Sequence, residues 1–155
     1  ELIDGAFVMT PAPGVGHQKM SAALYRELWT GSRGTDLQVL YAPLDVAIGA
    51  NVVEPDLLVA PTAEFTDRDL PAPPLLVVEI RSPSTAWIDE GRKRTLYEEA
   101  GVVSYWLADP ARPSIRILEL VDGCYVQVAY ATGDQTIHLT SPFRVTLNPT
   151  ILARG

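Results

Sequence analysis

The stretch Leu75-Leu-Val-Val-Glu-Ile-Arg-Ser82 contains an acidic residue, Glu79, directly after four apolar residues. A short apolar run of this kind predicts a buried strand, in which position 79 should be hydrophobic. An ionised carboxylate in such a strand is costly unless a cation, a metal ion or several hydrogen-bond donors meet it. Glu79 is therefore the first candidate for a functional residue.

A second acidic stretch lies upstream, Val52-Val-Glu-Pro-Asp-Leu-Leu-Val59. If Val52 to Ala60 form one strand, period-2 alternation divides its side chains between two faces: Glu54, Asp56 and Leu58 on one, and Val53, Leu57 and Val59 on the other. Pro55 lacks a backbone N–H, which predicts a bulge or an unpaired position just before Asp56. Two neighbouring strands with inward carboxylates would form a site for a hard divalent cation.

The chain has 155 residues, and we expect one domain with a sizeable core over residues 1–155. No uncharged apolar run reaches the length of about 18 residues that a membrane span needs, so no membrane association is expected. Cys124 is the only cysteine, which excludes an intramolecular disulfide and fits a reducing, cytoplasmic location. Because the sequence begins at Glu1 inside an expected strand, we also expect a native N-terminal segment before it.

The charge balance is acidic, with 19 Asp and Glu against 12 Lys and Arg and a formal net charge of −7. Proteins that bind nucleic acid without a partner usually carry a basic stripe. Here the one basic run is Arg92-Lys93-Arg94. The composition therefore counts against tight non-specific binding and predicts that any DNA contact is steeply salt-sensitive or needs a basic partner.

Hydrophobic periodicity predicts an α+β fold with short strands, two helices and a C-terminal β meander. The helices span about Val15 to Thr30 and Ile88 to Ala100. Besides the acidic strands 52–60 and 75–81, strands are expected at residues 6–10, 37–48 (bent at Pro43), 102–109, 114–120, 125–131, 136–139 and 144–147. The polar segment 61–74 is either a mobile flap or a surface excursion, and residues 82–85 form a turn.

Each predicted helix carries one candidate site residue on its inner face. His17 lies in the first turn of the first helix, on its apolar stripe. It is either a core or capping histidine or a contact to a phosphate or a metal-bound water near the carboxylates. Lys93 lies on the stripe of the second helix that also holds Leu96 and Ala100, flanked by Tyr97. A lysine in these surroundings needs an anionic partner.

The ordered string of these features resembles the Uma-type branch of restriction-endonuclease-like proteins of bacteria, within the PD-(D/E)XK nuclease superfamily. The resemblance covers most of the chain. Its carriers are Glu1-Leu-Ile-Asp-Gly5, Pro11-Ala-Pro-Gly14 with His17-Gln18, Pro55-Asp56, Val78-Glu-Ile-Arg-Ser-Pro-Ser-Thr85, Asp89 with Lys93 and Tyr97, and Gly101-Val-Val-Ser-Tyr-Trp-Leu-Ala-Asp-Pro110. It implies a restriction-endonuclease-like core, in which a central mixed β-sheet is flanked by helices and has a divalent-metal site at its centre.

The resemblance also implies site residues and chemistry. Asp56, Glu79 and the backbone carbonyl of Ile80 would bind Mg²⁺ or Mn²⁺, which stabilises the charge of the transition state and acidifies a water. Lys93 would assist the hydrolysis of DNA phosphodiester bonds by a homodimer. The lysine position of the motif itself holds Arg81, which cannot act as a base at neutral pH and would pair with Glu79 or clamp a phosphate.

Several alternatives stay open at this point. Glu54 is either a third carboxylate beside Asp56 or a solvent-side residue. The leading function is a Mg²⁺-dependent endonuclease. The alternative is a non-catalytic, dimerising binding or assembly module that retains the nuclease fold, with the same charges serving as a structural ion-pair network. A small-ligand-binding β domain is a third function, but the sequence has no glycine-rich phosphate loop or cofactor motif to support it.

Overall fold

The computed structural model describes residues 1–9, 11–82 and 89–155. In chain order the elements are β1 (Leu2–Ile3), β2 (Ala6–Phe7), α1 (Val15–Ser32), β3 (Leu37–Tyr41), β4 (Asp45–Ile48), β5 (Asn51–Val53), β6 (Leu57–Pro61), a 3₁₀ turn (Thr62–Glu64), β7 (Asp69–Leu70), β8 (Leu76–Ile80), a π-helical turn (Asp89–Lys93), α2 (Arg94–Glu99), β9 (Ser104–Asp109), β10 (Ser114–Val121), β11 (Cys124–Thr132), β12 (Ile137–Leu139), β13 (Val145–Leu147) and α3 (Pro149–Arg154). Four sequence expectations fall outside the described residues: the strand end at Thr10, most of the turn at 82–85, the helix start at Ile88 and the side chain of Asp89.

A six-stranded mixed sheet forms the centre of the fold, in the order β11-β10-β9-β8-β6-β3. Strands β8 and β9 run parallel, so a crossover must join them, and α2 lies in that crossover. The other neighbouring strands are antiparallel, and β9, β10 and β11 form a meander. The predicted α+β fold, a mixed sheet with flanking helices and a C-terminal meander, is confirmed.

The two faces of this sheet bury two separate cores. On one face, α1 packs Met20 and Leu24 against residues such as Val78, all of them inaccessible to solvent. On the other face, Val77 packs with Tyr97 of α2 and with the second sheet, whose order is β2-β1-β5-β4-β7. Side chains alternate along β8, so Glu79 lies on the same face as Val77, away from the α1 core. The fold therefore buries this carboxylate between the central sheet and α2.

The expectation of one continuous acidic strand from Val52 to Ala60 is wrong. Strand β5 ends at Val53 and belongs to the second sheet, whereas β6 begins at Leu57 and belongs to the central sheet. The chain crosses between the sheets through Glu54, Pro55 and Asp56, where Pro55 has no N–H for a ladder. Val53 consequently packs in the same core as Leu58 rather than on the opposite face.

Other differences concern short elements. Segment 61–74 is not a free flap, because β7 within it pairs in parallel with β4 and buries Leu70 completely. Strand β12 leaves the meander and pairs with β13 in a separate two-stranded sheet. The sequence reading missed α3, which begins at Pro149 after Asn148, whose side chain accepts a hydrogen bond from the backbone N–H of Ile151.

Candidate active site

One cavity of about 510 Å³ brings most of the predicted site residues together. It lies where the beginning of α1, the Ala42–Pro43 turn, the 54–56 link, the end of β8 and the π-helical turn meet. Its acidic and basic lining residues are Glu1, His17, Glu54, Asp56, Glu79 and Lys93. Of the other predicted residues, Tyr97 contacts Glu79, whereas Arg81 lines a different pocket.

Glu79 and Lys93 form a buried ion pair in the wall of the cavity. These residues are 3% and 4% exposed, and Lys93 Nζ lies 3.1 Å from Glu79 Oε1. The same oxygen accepts a hydrogen bond of 2.8 Å from the Tyr97 hydroxyl. Two charges remain out of water here because each compensates the other, and removal of one would leave the other uncompensated. Lys93 therefore has the anionic partner that its inward position requires.

Tyr97 contacts this ion pair through its hydroxyl group. Burial raises the pKa of Tyr97 well above its ordinary value, and the nearby charge of Glu79 raises that pKa further. The hydroxyl consequently keeps its proton and donates a hydrogen bond to the Glu79 carboxylate. The ring packs against Tyr105, with the two ring centroids 5.3 Å apart. Tyr97 thus combines core packing with a fixed hydrogen bond to a site residue.

Asp56 lies beside Glu79 at the ends of two neighbouring strands. Leu57 of β6 is opposite Val78 of β8, so Asp56 and Glu79 are the next residues along the two chains. Asp56 Oδ2 accepts a hydrogen bond of 2.7 Å from the backbone N–H of Ile80. The antiparallel register therefore brings together two acids that are far apart in sequence, and a backbone hydrogen bond anchors the first of them.

His17 reaches the same carboxylate from α1. Its Nε2 lies 3.1 Å from Asp56 Oδ2, and its side chain is 12% exposed. Within the described part of the chain, its Nδ1 is buried without a hydrogen-bond partner. Of the two roles considered for His17, the geometry favours the one in which this residue faces the carboxylate cluster.

Glu1 is a site residue whose role the sequence reading missed. Its side chain is 5% exposed, and its Oε1 lies 2.8 Å from Lys93 Nζ. The same oxygen accepts a hydrogen bond of 2.9 Å from the backbone N–H of Glu54. Periodicity could not identify it, because it precedes a strand of two residues. Glu54 itself is half-buried and lines the cavity.

Arg81 lies on the expected face of the sheet, but its described carboxylate partner is not the expected one. It follows β8, and its guanidinium lies 3.6 Å from the carboxylate of Asp109 at the end of β9. The backbone N–H of Arg81 also donates to the carbonyl of Ala108 at 2.8 Å, which extends the β8–β9 ladder. Its side chain is 41% exposed and lines a separate pocket of about 240 Å³. Among the described residues, Arg81 therefore pairs with the carboxylate of Asp109 rather than with that of Glu79.

The donor chemistry of the cavity fits a hard divalent cation. Among the residues that the structure describes, no three His, Cys, Asp or Glu side chains form a metal-binding group. Mg²⁺, however, usually binds through one or two carboxylates and keeps several waters or substrate oxygens. The side-chain hydrogen bonds of Asp56 to described residues all involve Oδ2, which leaves Oδ1 for a cation. The neighbouring carboxylates of Asp56 and Glu79, with Oδ1 of Asp56 open to a ligand, are consistent with a Mg²⁺ or Mn²⁺ site.

Comparison with known proteins first identifies a solved structure with the same fold. A crystal structure of a protein described as "a putative nuclease belonging to DUF820", from Anabaena variabilis ATCC 29413, matches with a TM-score of 0.75. The two are 14% identical, and the match covers 99% of this chain and 88% of the other. The family follows from the sequence: the model of the Uma2 family, described as "Putative restriction endonuclease", matches residues 1–151, and the chain belongs to this family. No curated protein matches the chain.

None of the described helices combines the length and the apolar character that crossing a bilayer requires.

Proposed function

We propose that this protein is a Mg²⁺- or Mn²⁺-dependent endonuclease that hydrolyses DNA phosphodiester bonds in the 510 Å³ cavity. One observation carries the proposal: Asp56 and Glu79 lie at neighbouring strand ends and line this cavity together with Lys93. Membership of a nuclease family supports the same reaction class. The single, exposed Cys124 is compatible with a reducing compartment, and we place the activity in the cytoplasm.

In this proposal Asp56 and Glu79 hold the cation, with help from the backbone carbonyl of Ile80. The cation would supply charge stabilisation at the phosphate and a more acidic water. Asp56 is fixed for this role by the Ile80 N–H and by His17. Glu79 is fixed by the ammonium of Lys93 and the hydroxyl of Tyr97.

Lys93 takes the place of the motif lysine, because Arg81 at that position pairs with Asp109 and lines a different pocket. Its ammonium lies at the cavity wall between Glu1 and Glu79. From there it would orient the attacking water and the scissile phosphate. Glu1 and Glu54 add negative charge to the same wall, which favours a bound cation over a free anionic substrate.

The test is cleavage of supercoiled plasmid DNA by the purified protein with Mg²⁺ or Mn²⁺. Asp56→Asn and Glu79→Gln keep the shape of each side chain while removing its charge. We expect each to lower the cleavage rate by more than the roughly 10- to 100-fold that loss of an outer-shell partner costs. Glu64→Gln, on the exposed 3₁₀ turn, removes one charge elsewhere and should cleave like the wild type. Equal rates in all four proteins would rule out this site.

Two observations favour a second function, a non-catalytic module that retains the fold. Lys93 bridges Glu1 and Glu79 within hydrogen-bond distance, as a structural ion-pair network would. Strand β11 forms one edge of the central sheet and exposes about half of Val126 and Val128, which suits pairing with a second copy. Under this function the protein sediments as a dimer, and neither Mg²⁺ nor Mn²⁺ raises its melting temperature. A metal-induced rise that Asp56→Asn abolishes would exclude it.

A further inference from the structure

A second, smaller pocket lies on the same face of the central sheet as Glu79. Its volume is about 240 Å³, and arginines and hydroxyl-bearing residues line it: Arg81, Arg112, Arg116, Ser114, Tyr130 and Thr132. It holds three of the 12 Lys and Arg residues of a chain whose net charge is −7. Nothing in the proposed hydrolysis uses this concentration of positive charge.

The strand register connects this pocket to the acidic cavity. Glu79 of β8 is opposite Leu107 of β9, Leu107 is opposite Arg116 of β10, and Arg116 is opposite Tyr130 of β11. These four residues form a row across four neighbouring strands on one face. At about 4.8 Å per strand, Arg116 lies roughly 10 Å from Glu79 and Tyr130 roughly 14 Å. At a rise of about 3.4 Å per nucleotide, these distances correspond to about three or four nucleotides.

The pocket has the groups that bind a nucleic-acid strand. Among the described residues, neither Arg112 nor Arg116 forms an ion pair. Arg116 lies over the ring of Tyr130, with Cζ 5.9 Å from the ring centroid, and this ring is half exposed. Arginine beside an exposed aromatic ring is suited to a phosphate and a stacked base.

The loop that carries Arg112 is held in place. Asp109 Oδ1 accepts hydrogen bonds from the backbone N–H groups of Ala111 and Arg112, at 2.9 and 3.0 Å. Asp109 also pairs with Arg81, so this carboxylate, the one among the described residues that line the pocket, organises two of its three arginines. Arg112 and Arg116, which form no ion pair with a described residue, thus leave a local positive charge that an anionic ligand would neutralise.

We infer that this pocket is a subsite for the backbone of a DNA strand, about three nucleotides from the bond that is cut, with Tyr130 stacking on a base. The inference rests on the proposed endonuclease function, because that function places the bond that is cut at the acidic cavity and the rest of the strand toward this pocket. The subsite also resolves the conflict between an acidic chain and an anionic substrate, because it concentrates basic charge on the strand path beside the metal-binding acids.

The test measures binding and hydrolysis separately. Fluorescence anisotropy with a labelled 12-nucleotide single strand gives the affinity of the wild type, of Arg112→Gln/Arg116→Gln and of the matched control Arg68→Gln/Arg154→Gln, which removes two exposed arginines elsewhere. We expect the first double variant to lose about tenfold or more in affinity and its salt slope to fall by about 1.4, as for two lost phosphate contacts. Tyr130→Ala should weaken binding about fivefold or more, and Tyr130→Phe should not.

Hydrolysis of bis(4-nitrophenyl) phosphate, a phosphodiester small enough to use the cavity alone, separates the two proposals. If the wild type hydrolyses neither DNA nor bis(4-nitrophenyl) phosphate but Arg112→Gln/Arg116→Gln still loses oligonucleotide affinity, the endonuclease function fails and the binding subsite stands. If the wild type cleaves DNA and both double variants bind it with the same affinity and salt slope as the wild type, the subsite is wrong. Displacement of the oligonucleotide by inorganic phosphate at an equal concentration of phosphate groups would also overturn it, since the ligand would then be a small anion.

Discussion

The row from Glu79 to Tyr130 across the central sheet has buried charges at one end and exposed charges at the other. At the Glu79 end, Lys93 and the carboxylates of Glu1 and Glu79 are almost completely buried, and each of these three groups lies within hydrogen-bond distance of an opposite charge. At the Tyr130 end, Arg112 and Arg116 are exposed and form no ion pair with a described residue. Burial enforces pairing because an isolated charge in a core costs several kcal/mol, whereas water solvates the outer arginines. The buried end is consequently expected to govern stability, and the exposed end to govern binding.

Lys93→Met should have the largest effect on stability. It leaves Glu1 and Glu79 buried without their cation, and breaking such a pair costs about 3–5 kcal/mol in the free energy of unfolding. Urea denaturation measures this loss. Lys19→Met removes the other lysine, which is exposed, and should change stability by less than about 0.5 kcal/mol. Equal losses in the two variants would contradict the comparison between buried and exposed charge.

Tyr97→Phe should have the next largest effect. It removes one hydrogen bond to a buried, charged carboxylate that keeps its bond to Lys93, and a hydrogen bond to a charged group contributes about 1.5–3 kcal/mol. Tyr41→Phe is the matched control, because this tyrosine is 55% exposed. Urea denaturation of both variants near neutral pH gives the difference. A loss for Tyr97→Phe no larger than that of the control would mean that its hydroxyl does not hold Glu79.

The pH dependence of stability provides a finer test of the same buried end. Burial raises the pKa of Tyr97, so the unfolded chain loses this proton first as the pH rises past about 10. Stability that is fully present below pH of about 10 should therefore fall as the pH rises toward the folded-state pKa. Burial also raises the pKa of Tyr125, so the decline should flatten in Tyr97→Phe and flatten further in Tyr97→Phe/Tyr125→Phe. A wild-type profile that stays flat through this range would contradict the assignment.

Arg112→Gln and Arg116→Gln should have the smallest effect on stability. Both side chains are exposed, so each change should alter the free energy of unfolding by less than about 0.5 kcal/mol. The same variants should show the loss of oligonucleotide affinity described above. A destabilisation of about 2 kcal/mol or more, measured by urea denaturation, would mean that these arginines hold the sheet together rather than bind a ligand.

The sequence predicts the elements whose signals are local. The first helix and β8 follow from a long apolar stripe and a short apolar run, and the inward face of Lys93 follows from helical spacing. The break between Val53 and Leu57 does not follow, because alternation continues through it and the change of sheet depends on distant partners. Its only local sign is Pro55. The N-cap of α3, Asn148 followed by Pro149, is a local signal that predicts a helix start, so this missed helix was predictable from the sequence.

The site is predictable in part for the same reason. Glu79 stands out because it interrupts an apolar run, and Asp56 because it follows a proline near a strand. The position of Glu1 beside Lys93 depends on the pairing of β1 with β5 across about 50 residues, which no local pattern encodes. The partner of Arg81 depends on the parallel pairing of β8 with β9, which brings in Asp109.

The central claim is that Asp56 and Glu79 jointly hold a divalent cation. The most direct measurement is calorimetric titration of Mn²⁺ into the wild type, Asp56→Asn, Glu79→Gln and the control Glu64→Gln. We expect one site per chain in the wild type and in Glu64→Gln, and no measurable site in either of the other two variants. Unchanged Mn²⁺ binding in both Asp56→Asn and Glu79→Gln, or no binding to the wild type, would contradict the account.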